Sequence, residues 1–201
     1  KKNIRFKDNN WKITYMITAG VDEVGRGCLA GPVVSAAVIL NKKINLKILK
    51  DSKKINFKNR LEISDHIKEN SHYAVGLASV EEIYNLNILQ ASLLSMKRAI
   101  NNLSIKPKLI LIDGTFAPKG LKNYKTIISG DEKIKCISAA SIIAKTYRDL
   151  LMIKLSKKYN HYSWEKNFGY GTKAHIRGLE KFGITSHHRK GFKPVHNMLS
   201  K

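Results

Sequence analysis

Residues 17–40 read ITAGVDEVGRGCLAGPVVSAAVIL, and the fold turns on how this stretch divides. A run ending at Val21 and a second beginning at Val33 are rich in small and β-branched apolar residues, the pattern of two strands joined by a glycine turn. The turn, GRGCLA over 25–30, also fits the G-x-G-x-x-G/A loop of dinucleotide folds. That loop has to open a helix. Here Gly31-Pro32 intervenes and the strand-like VVSAAVIL follows, which disfavours a dinucleotide site. Left unexplained are Asp22 and Glu23, two adjacent acids where the first strand should end.

Working outward, FKNRLEISDHIKEN (57–70) reads as a polar helix and YAVGLASV (73–80) as a third strand. Ser79 and Glu82 have capping-box spacing ahead of a long apolar-periodic segment to Ile100, so a helix is predicted to start there. KLILIDG (108–114) and KTIISGD (125–131) are short apolar runs ending in turn residues and acids. SAASIIAKTYRDLLMIKLSKKY (138–159) is a long helix whose small leading residues allow close approach to a sheet. GTKAHIRGLEKFG (171–183) is a shorter helix bounded by glycines, and the tail beyond it reads as basic and irregular. No repeat, low-complexity linker or internal domain boundary is visible. Strands first, then alternating helix and strand, predict an α/β mixed sheet flanked by helices, and 201 residues suit one sizeable core.

Lys and Arg number 37 against 15 acids, a formal charge of +22 with a pI near 10.0. A polyanionic partner is the first reading, with compositional drift in stretches such as KKNIRFKDNN and NKKINLKILK as its alternative. No run approaches the ~18 apolar residues of a membrane span, and the basic N-terminus lacks a signal-peptide pattern, so a cytoplasmic protein without membrane association is expected. Cys28 and Cys136 are isolated, which argues against a disulfide framework or thiolate zinc site and predicts two reduced core residues.

With so few acids, each can be asked whether a helix surface explains it. Glu62, Asp65, Glu69, Glu165, Glu180 and Asp149 read as solvated helix faces. Glu81 and Glu82 suit a helix N-terminus, and Asp51 a loop or cap. Asp22, Glu23, Asp113 and Asp131 resist this, because each stands at the C-terminal end of an apolar run, where open α/β sheets place ligand sites. Taken singly each could be a turn residue, as Asp-Gly at 113–114 and Gly-Asp at 130–131 allow. Together they would form a four-carboxylate site whose repulsion is relieved by cations, and oxygen ligands alone select hard ions such as Mg²⁺ or Mn²⁺. Two such ions about 4 Å apart serve phosphodiester displacement, which suits a basic chain. One geometric difficulty stands: neighbours on a regular strand point to opposite faces. Either the strand ends there, as Gly25 and Gly27 allow, or Glu23 reaches around. Arg26 beside them reads as a phosphate contact or an ordinary surface arginine.

GVDEVGRGCLAGPVV resembles the signature of type 2 ribonucleases H, ribonuclease HII in particular. The likeness continues in order through DSKK, LNILQASLLSMKRAI, LILIDG, SGDEKIKCISAASIIAKTYRD, GYGTKAH and HHRKGFKPV, covering about Ile17 to Val195. The resemblance implies a ribonuclease H-like fold with a small helical C-terminal extension, spanning 17–195 between a basic leader (1–16) and a short tail (196–201). It implies a Mg²⁺- or Mn²⁺-dependent endonuclease, expected to be a monomer, acting on RNA-DNA hybrids and on ribonucleotide-containing duplex DNA. Cleavage 5′ to the ribonucleotide would leave 3′-hydroxyl and 5′-phosphate ends. The family's metal-binding acids fall on Asp22, Glu23, Asp113 and Asp131, the same four that surface placement could not explain. Its Gly-Arg-Gly motif falls on Gly25, Arg26 and Gly27, whose backbone would read a ribose 2′-hydroxyl, the group that separates RNA from DNA. Tyr170 matches the tyrosine that packs on the sugar, although as one of eight tyrosines it could be ordinary core or surface. Lys53 and Lys145 are candidates for phosphate contacts or plain solvated lysines. His175, His187 and His188 could touch phosphate or move protons, and none is expected to bind metal. Cys28 stands where many relatives carry proline. So short a leader disfavours the related type 3 enzymes, and the tail HNMLSK lacks the aromatic pair of a sliding-clamp motif. A noncatalytic basic nucleic-acid-binding protein, which needs only the charge, is the competing expectation.

Overall fold

The computed structural model describes residues 17–41, 44, 49 and 55–199; the leader 1–16, Asp51 and Lys53 lie outside the described residues. The quoted stretch forms an antiparallel pair, β1 (Thr18–Val24) with β2 (Val33–Leu40), in which Gly20 lies opposite Val38 and Val24 opposite Val34. β3 (Ser71–Ala78) continues antiparallel beyond β2. β4 (Leu109–Asp113) runs parallel to β1, and β5 (Tyr124–Ile127) parallel to β4, so the order is β3-β2-β1-β4-β5. The sheet is mixed, as predicted, and β1 is its central strand.

The first helix among the described residues, α1 (Phe57–Asn70), begins where Asn56 accepts from the Asn59 amide. The predicted capping box is present: Ser79 Oγ accepts from the Glu82 amide at 3.1 Å and the Ser79 amide donates to Glu82 at 2.8 Å. The helix it opens is not continuous, however. α2 (Val80–Leu86) stops at Asn87, whose φ is 68°, and α3 (Ile88–Asn101) restarts there, with the Asn87 side chain capping Gln90. Asparagine tolerates positive φ and is a good cap, so one residue ends one helix and starts the next. After β5 come α4 (Gly130–Lys133), the long α5 (Lys135–Ser156), a 3-10 turn at Asn160–Tyr162, α6 (Trp164–Asn167) and α7 (Lys173–Phe182). The expected irregular tail is irregular over 184–192 but then forms α8 (Lys193–Leu199), anchored by the fully buried Val195.

Both sheet faces are covered. On one, Ala19, Val21, Ala37 and Ile39 pack with Met96, Ala99 and Ile100 of α3; on the other, Ala36 and Val38 pack with Ala139, Ala140, Ile142 and Ile143 of α5 and Ile67 of α1. Each face closes on a glycine. A Cβ on Gly20 would fall on the Cys136–Ile137 backbone of α5, and one on Gly76 would fall on Ser95 and Ala99 backbone atoms of α3. The closest approach of α5 falls at Cys136–Ile137, just ahead of the small residues that open the predicted helix, and it is the strand glycine that permits it. A third cluster joins Leu29, Ala30 and Met152 to Tyr162, Trp164, Leu179 and Val195, tying the C-terminal helices to the glycine turn. Among the described residues no helix is long and apolar enough to cross a membrane.

Candidate active site

The pairing of β1 resolves the difficulty of the adjacent acids. Its ladder with β4 stops at Val21 opposite Ile112, whereas its ladder with β2 continues to Val24. The strand therefore does not end early; it overhangs. Asp22 follows Gly20 onto the α5 face, where Ser141 hydrogen-bonds its carboxylate. Glu23 turns the other way, and its Oε1 accepts from Arg26 Nη1 at 3.0 Å. Because the overhang lies at the end of the sheet, both side chains line one cleft of about 430 Å³.

Asp113 ends β4, and its Oδ1 accepts from the Gly130 amide at 2.6 Å, which fixes the start of α4 beside it. Asp131 is the second residue of α4 and is buried. It is thus not on the strand itself: β5 ends at Ile127, and Ser129, with φ 53°, turns the chain into the helix. All four predicted acids line the cleft, together with Gly25, Arg26, Gly27, Lys145 and Tyr170. Of the predicted site residues, Lys53 alone lies outside the described residues.

Burial, then the charge of Glu23, then that of Asp113, hold the Asp22 carboxyl well above the usual carboxylate range. Glu23 is raised chiefly by burial, with Arg26 opposing and Asp113 adding to the shift. Among the described residues no three His, Cys, Asp or Glu side chains are gathered tightly enough to hold an ion as they stand. The donor set nevertheless fits a hard divalent cation: four carboxylates line one cleft, with Asp22, Glu23 and Asp113 repelling one another and no nitrogen or sulfur donor among them.

The glycine turn is shaped by two arginines that sequence reasoning did not single out for the site. Arg148, fully buried on α5, donates to the carbonyls of Ala30, Pro32 and Phe168 at 2.9, 3.0 and 2.7 Å. Arg189, equally buried, donates to Gly31 and Arg26 carbonyls, each at 2.9 Å. Gly25 has φ 91° and a Cβ there would overlap the Arg148 guanidinium, so its glycine is a folding requirement. Gly27 is different: its φ is ordinary and a Cβ would meet nothing within 4 Å. The described packing therefore does not require glycine at position 27.

Asp149 corrects an expectation. It is not on a solvated face but has no exposure at all, accepting from Arg60 Nη2 at 2.7 Å and Lys145 Nζ at 2.6 Å. Lys145 also lies 4.6 Å from the Phe168 ring centre and 6.0 Å from that of Tyr170. Tyr170 is 38% exposed, and the Cys28 thiol reaches its hydroxyl. Cys28 is buried and Cys136 half-buried, both free, and burial pushes the Cys136 thiol up to about 11.

The histidines stand behind the cleft rather than in it. His188 Nδ1 accepts from the Thr185 amide at 2.9 Å, so its Nε2–H donates to His175 Nε2 at 3.0 Å. His175 Nε2 also accepts from Trp164 Nε1 at 3.1 Å, leaving Nδ1–H to donate to the Tyr170 carbonyl at 2.9 Å. Both rings are fully buried and neither lines the cleft, which removes them from direct phosphate contact there.

Comparison with known proteins agrees with this architecture. The profile of the family described as Ribonuclease HII matches residues 19–195. Curated ribonucleases HII are similar along most of the chain: that of Pelagibacter ubique is 57% identical over 91% of this chain and 99% of its own, and that of Roseobacter denitrificans 48% identical over 90% and 92%. Among solved structures, ribonuclease H2 from Pyrococcus horikoshii superposes with TM-score 0.78 at 27% identity, covering 91% of this chain and 97% of its own. A ribonuclease HIII bound to Mn²⁺ superposes at 0.68 with 19% identity, covering 91% and 69%, and shares the fold.

Proposed function

The chain belongs to the ribonuclease HII family and is a ribonuclease H, a nuclease, and from that premise we propose that it incises 5′ to single ribonucleotides in duplex DNA as well as hydrolysing the RNA strand of RNA-DNA hybrids. The observation that carries the proposal is the overhang of β1, which delivers Asp22 and Glu23 to one cleft with Asp113 and Asp131, next to a glycine that the fold does not need. In this reading the four carboxylates hold two Mg²⁺ or Mn²⁺ ions. Bound there, such ions supply an activated water and stabilise the charge that develops on the leaving oxygen, giving 3′-hydroxyl and 5′-phosphate ends. The turn Gly25–Arg26–Gly27 presents backbone to the ribose 2′-hydroxyl, and Arg148 and Arg189 hold it in place from behind. Arg26 tempers the acid cluster through Glu23, Tyr170 packs on the neighbouring sugar, and Lys145 faces phosphate. The protein acts as a cytoplasmic monomer.

The test is Asp22→Asn with a labelled duplex carrying one ribonucleotide, with and without Mg²⁺. Cleavage should require the metal and vanish in the variant while binding persists. Full activity in the variant, or no metal-dependent product from the wild type, would overturn the proposal; the second outcome is what a noncatalytic binder would give.

A further inference from the structure

Asp149 and Arg60 have no part in the function proposed above, yet both stand at its edge. Asp149 uses each carboxylate oxygen for a different cation, Arg60 from α1 and Lys145 four residues back on α5. One buried carboxylate needs one partner. Two leave one positive charge in surplus, and of the pair Arg60 is the desolvated one, its side chain 9% exposed against 28% for Lys145, so the surplus favours a further anion at their side of the cleft. Arg60 and Lys145 both line the acid cleft. Arg60 is moreover underused: Nη2 goes to Asp149, Nη1 to the Ile55 carbonyl at 3.2 Å, and its buried Nε has no hydrogen-bond partner among the described residues. Guanidinium offers five N–H donors in a plane suited to phosphate oxygens.

We infer that Arg60 is a phosphate-binding residue, paired with Lys145 in a two-cation clamp that Asp149 positions, and that the clamp grips a phosphodiester of the nucleic-acid strand whose scissile bond lies at the four acids. The inference rests on the proposed function, because the strand must enter this cleft. Phosphate is the matching anion on two grounds. The chain's charge of +22 selects a polyanion, and the clamp's surplus cation shares a cleft with carboxylates that a strand can approach only where positive charge receives its backbone. Asp149 touches no substrate here. It draws Arg60 and Lys145, from two helices, to one point, and Phe57 stacks on Phe168 at 6.3 Å across the same junction.

The readout is the salt dependence of binding, since each phosphate neutralised adds about 0.9 to the slope of log K against log salt, whereas a residue that only supports the fold adds nothing. Binding of a ribonucleotide-containing duplex is measured with Mg²⁺ in an Asp22→Asn background, so that substrate stays intact. Arg60→Gln should weaken binding about tenfold and lower the slope by about one. Arg60→Lys should keep the slope. Lys68→Gln, two turns along α1 and paired on the surface with Asp65, should alter neither. If Arg60→Gln does not fold, Arg60→Gln/Asp149→Asn replaces the ion pair with a neutral hydrogen-bonding pair and should show the same lost slope. An unchanged slope in the folded neutral variant refutes the clamp. Loss of metal-dependent cleavage in the wild type would instead refute the underlying function, so the two failures are separable.

Discussion

Acid should loosen this protein through His188. Its ring is buried against His175, and burial first, then the neighbouring His175 and His187, push its pKa down to about 3. Protonation at Nδ1 would also set a ring N–H against the Thr185 amide that donates to that nitrogen at 2.9 Å. An unfolded histidine titrates near 6.5, so the folded pKa is depressed. Stability is therefore complete above about pH 6.5 and falls as the pH drops toward 3, because the unfolded chain gains a proton that the folded one refuses. Between pH 7 and pH 5 this one group costs about 2 kcal/mol, the free energy of protonating the unfolded ring over that interval. Asp22 and Glu23 work in the opposite sense, since their raised carboxyls favour the folded state as pH falls. The histidine contribution is isolated by comparison with His188→Gln, which retains an N–H toward His175 and cannot titrate. Urea unfolding in EDTA at the two pH values should show the loss of stability from pH 7 to 5 smaller by about 2 kcal/mol in the variant, whatever its stability at pH 7. Equal pH dependence in both proteins would refute the assignment of a neutral, buried His188.

Two further substitutions separate fold from function. Gly20→Ala places a Cβ on the α5 backbone at Cys136 and Ile137, and since backbone cannot rotate away, the loss should be about 3 kcal/mol, read as a lower urea midpoint; a loss under about 1 kcal/mol would mean α5 can shift without penalty. Gly27→Ala meets nothing, so stability should stay within about 0.5 kcal/mol while cleavage at an embedded ribonucleotide drops at least tenfold; unimpaired cleavage would remove this backbone from substrate recognition.

The four acids were legible because of contrast. In a chain with 37 cations, an acid at the end of an apolar run has no surface role to absorb it, and Asp22, Glu23, Asp113 and Asp131 do reach one cleft. Strand patterns and the capping box at Ser79 were equally readable, since each depends on neighbours within a few residues. What failed to show was burial decided by distant partners. Arg60, Arg148 and Asp149 have the spacing of ordinary helix-surface charges, and only the packing of α1, the glycine turn and the Phe168 loop against α5 encloses them. The break at Asn87 was hidden for a related reason: the apolar period runs on through Leu86 and Ile88, and a positive φ leaves no mark on it.

The same distant contacts change the standing of the C-terminal region. Leu29 donates to the Gly169 carbonyl at 2.8 Å, Gly31 to the His187 carbonyl at 2.9 Å, and the Arg189 amide to Leu29 at 2.8 Å, so the chain after α5 closes over the outer side of the glycine turn. Arg189 then holds the carbonyl of Arg26 between Gly25 and Gly27, while His175 holds the carbonyl of Tyr170. Both elements proposed to read the sugar are thus fixed by their main chains from residues within the GYGTKAH and HHRKGFKPV stretches. A main-chain grip suits recognition of a 2′-hydroxyl, because the group to be read is small and the discriminating contact fails if the backbone moves by a fraction of a hydrogen-bond length. If the proposed function holds, the chain past Ser156 belongs to the substrate-reading apparatus as much as the glycine turn does, and the sheet end with its four acids would supply the cutting edge.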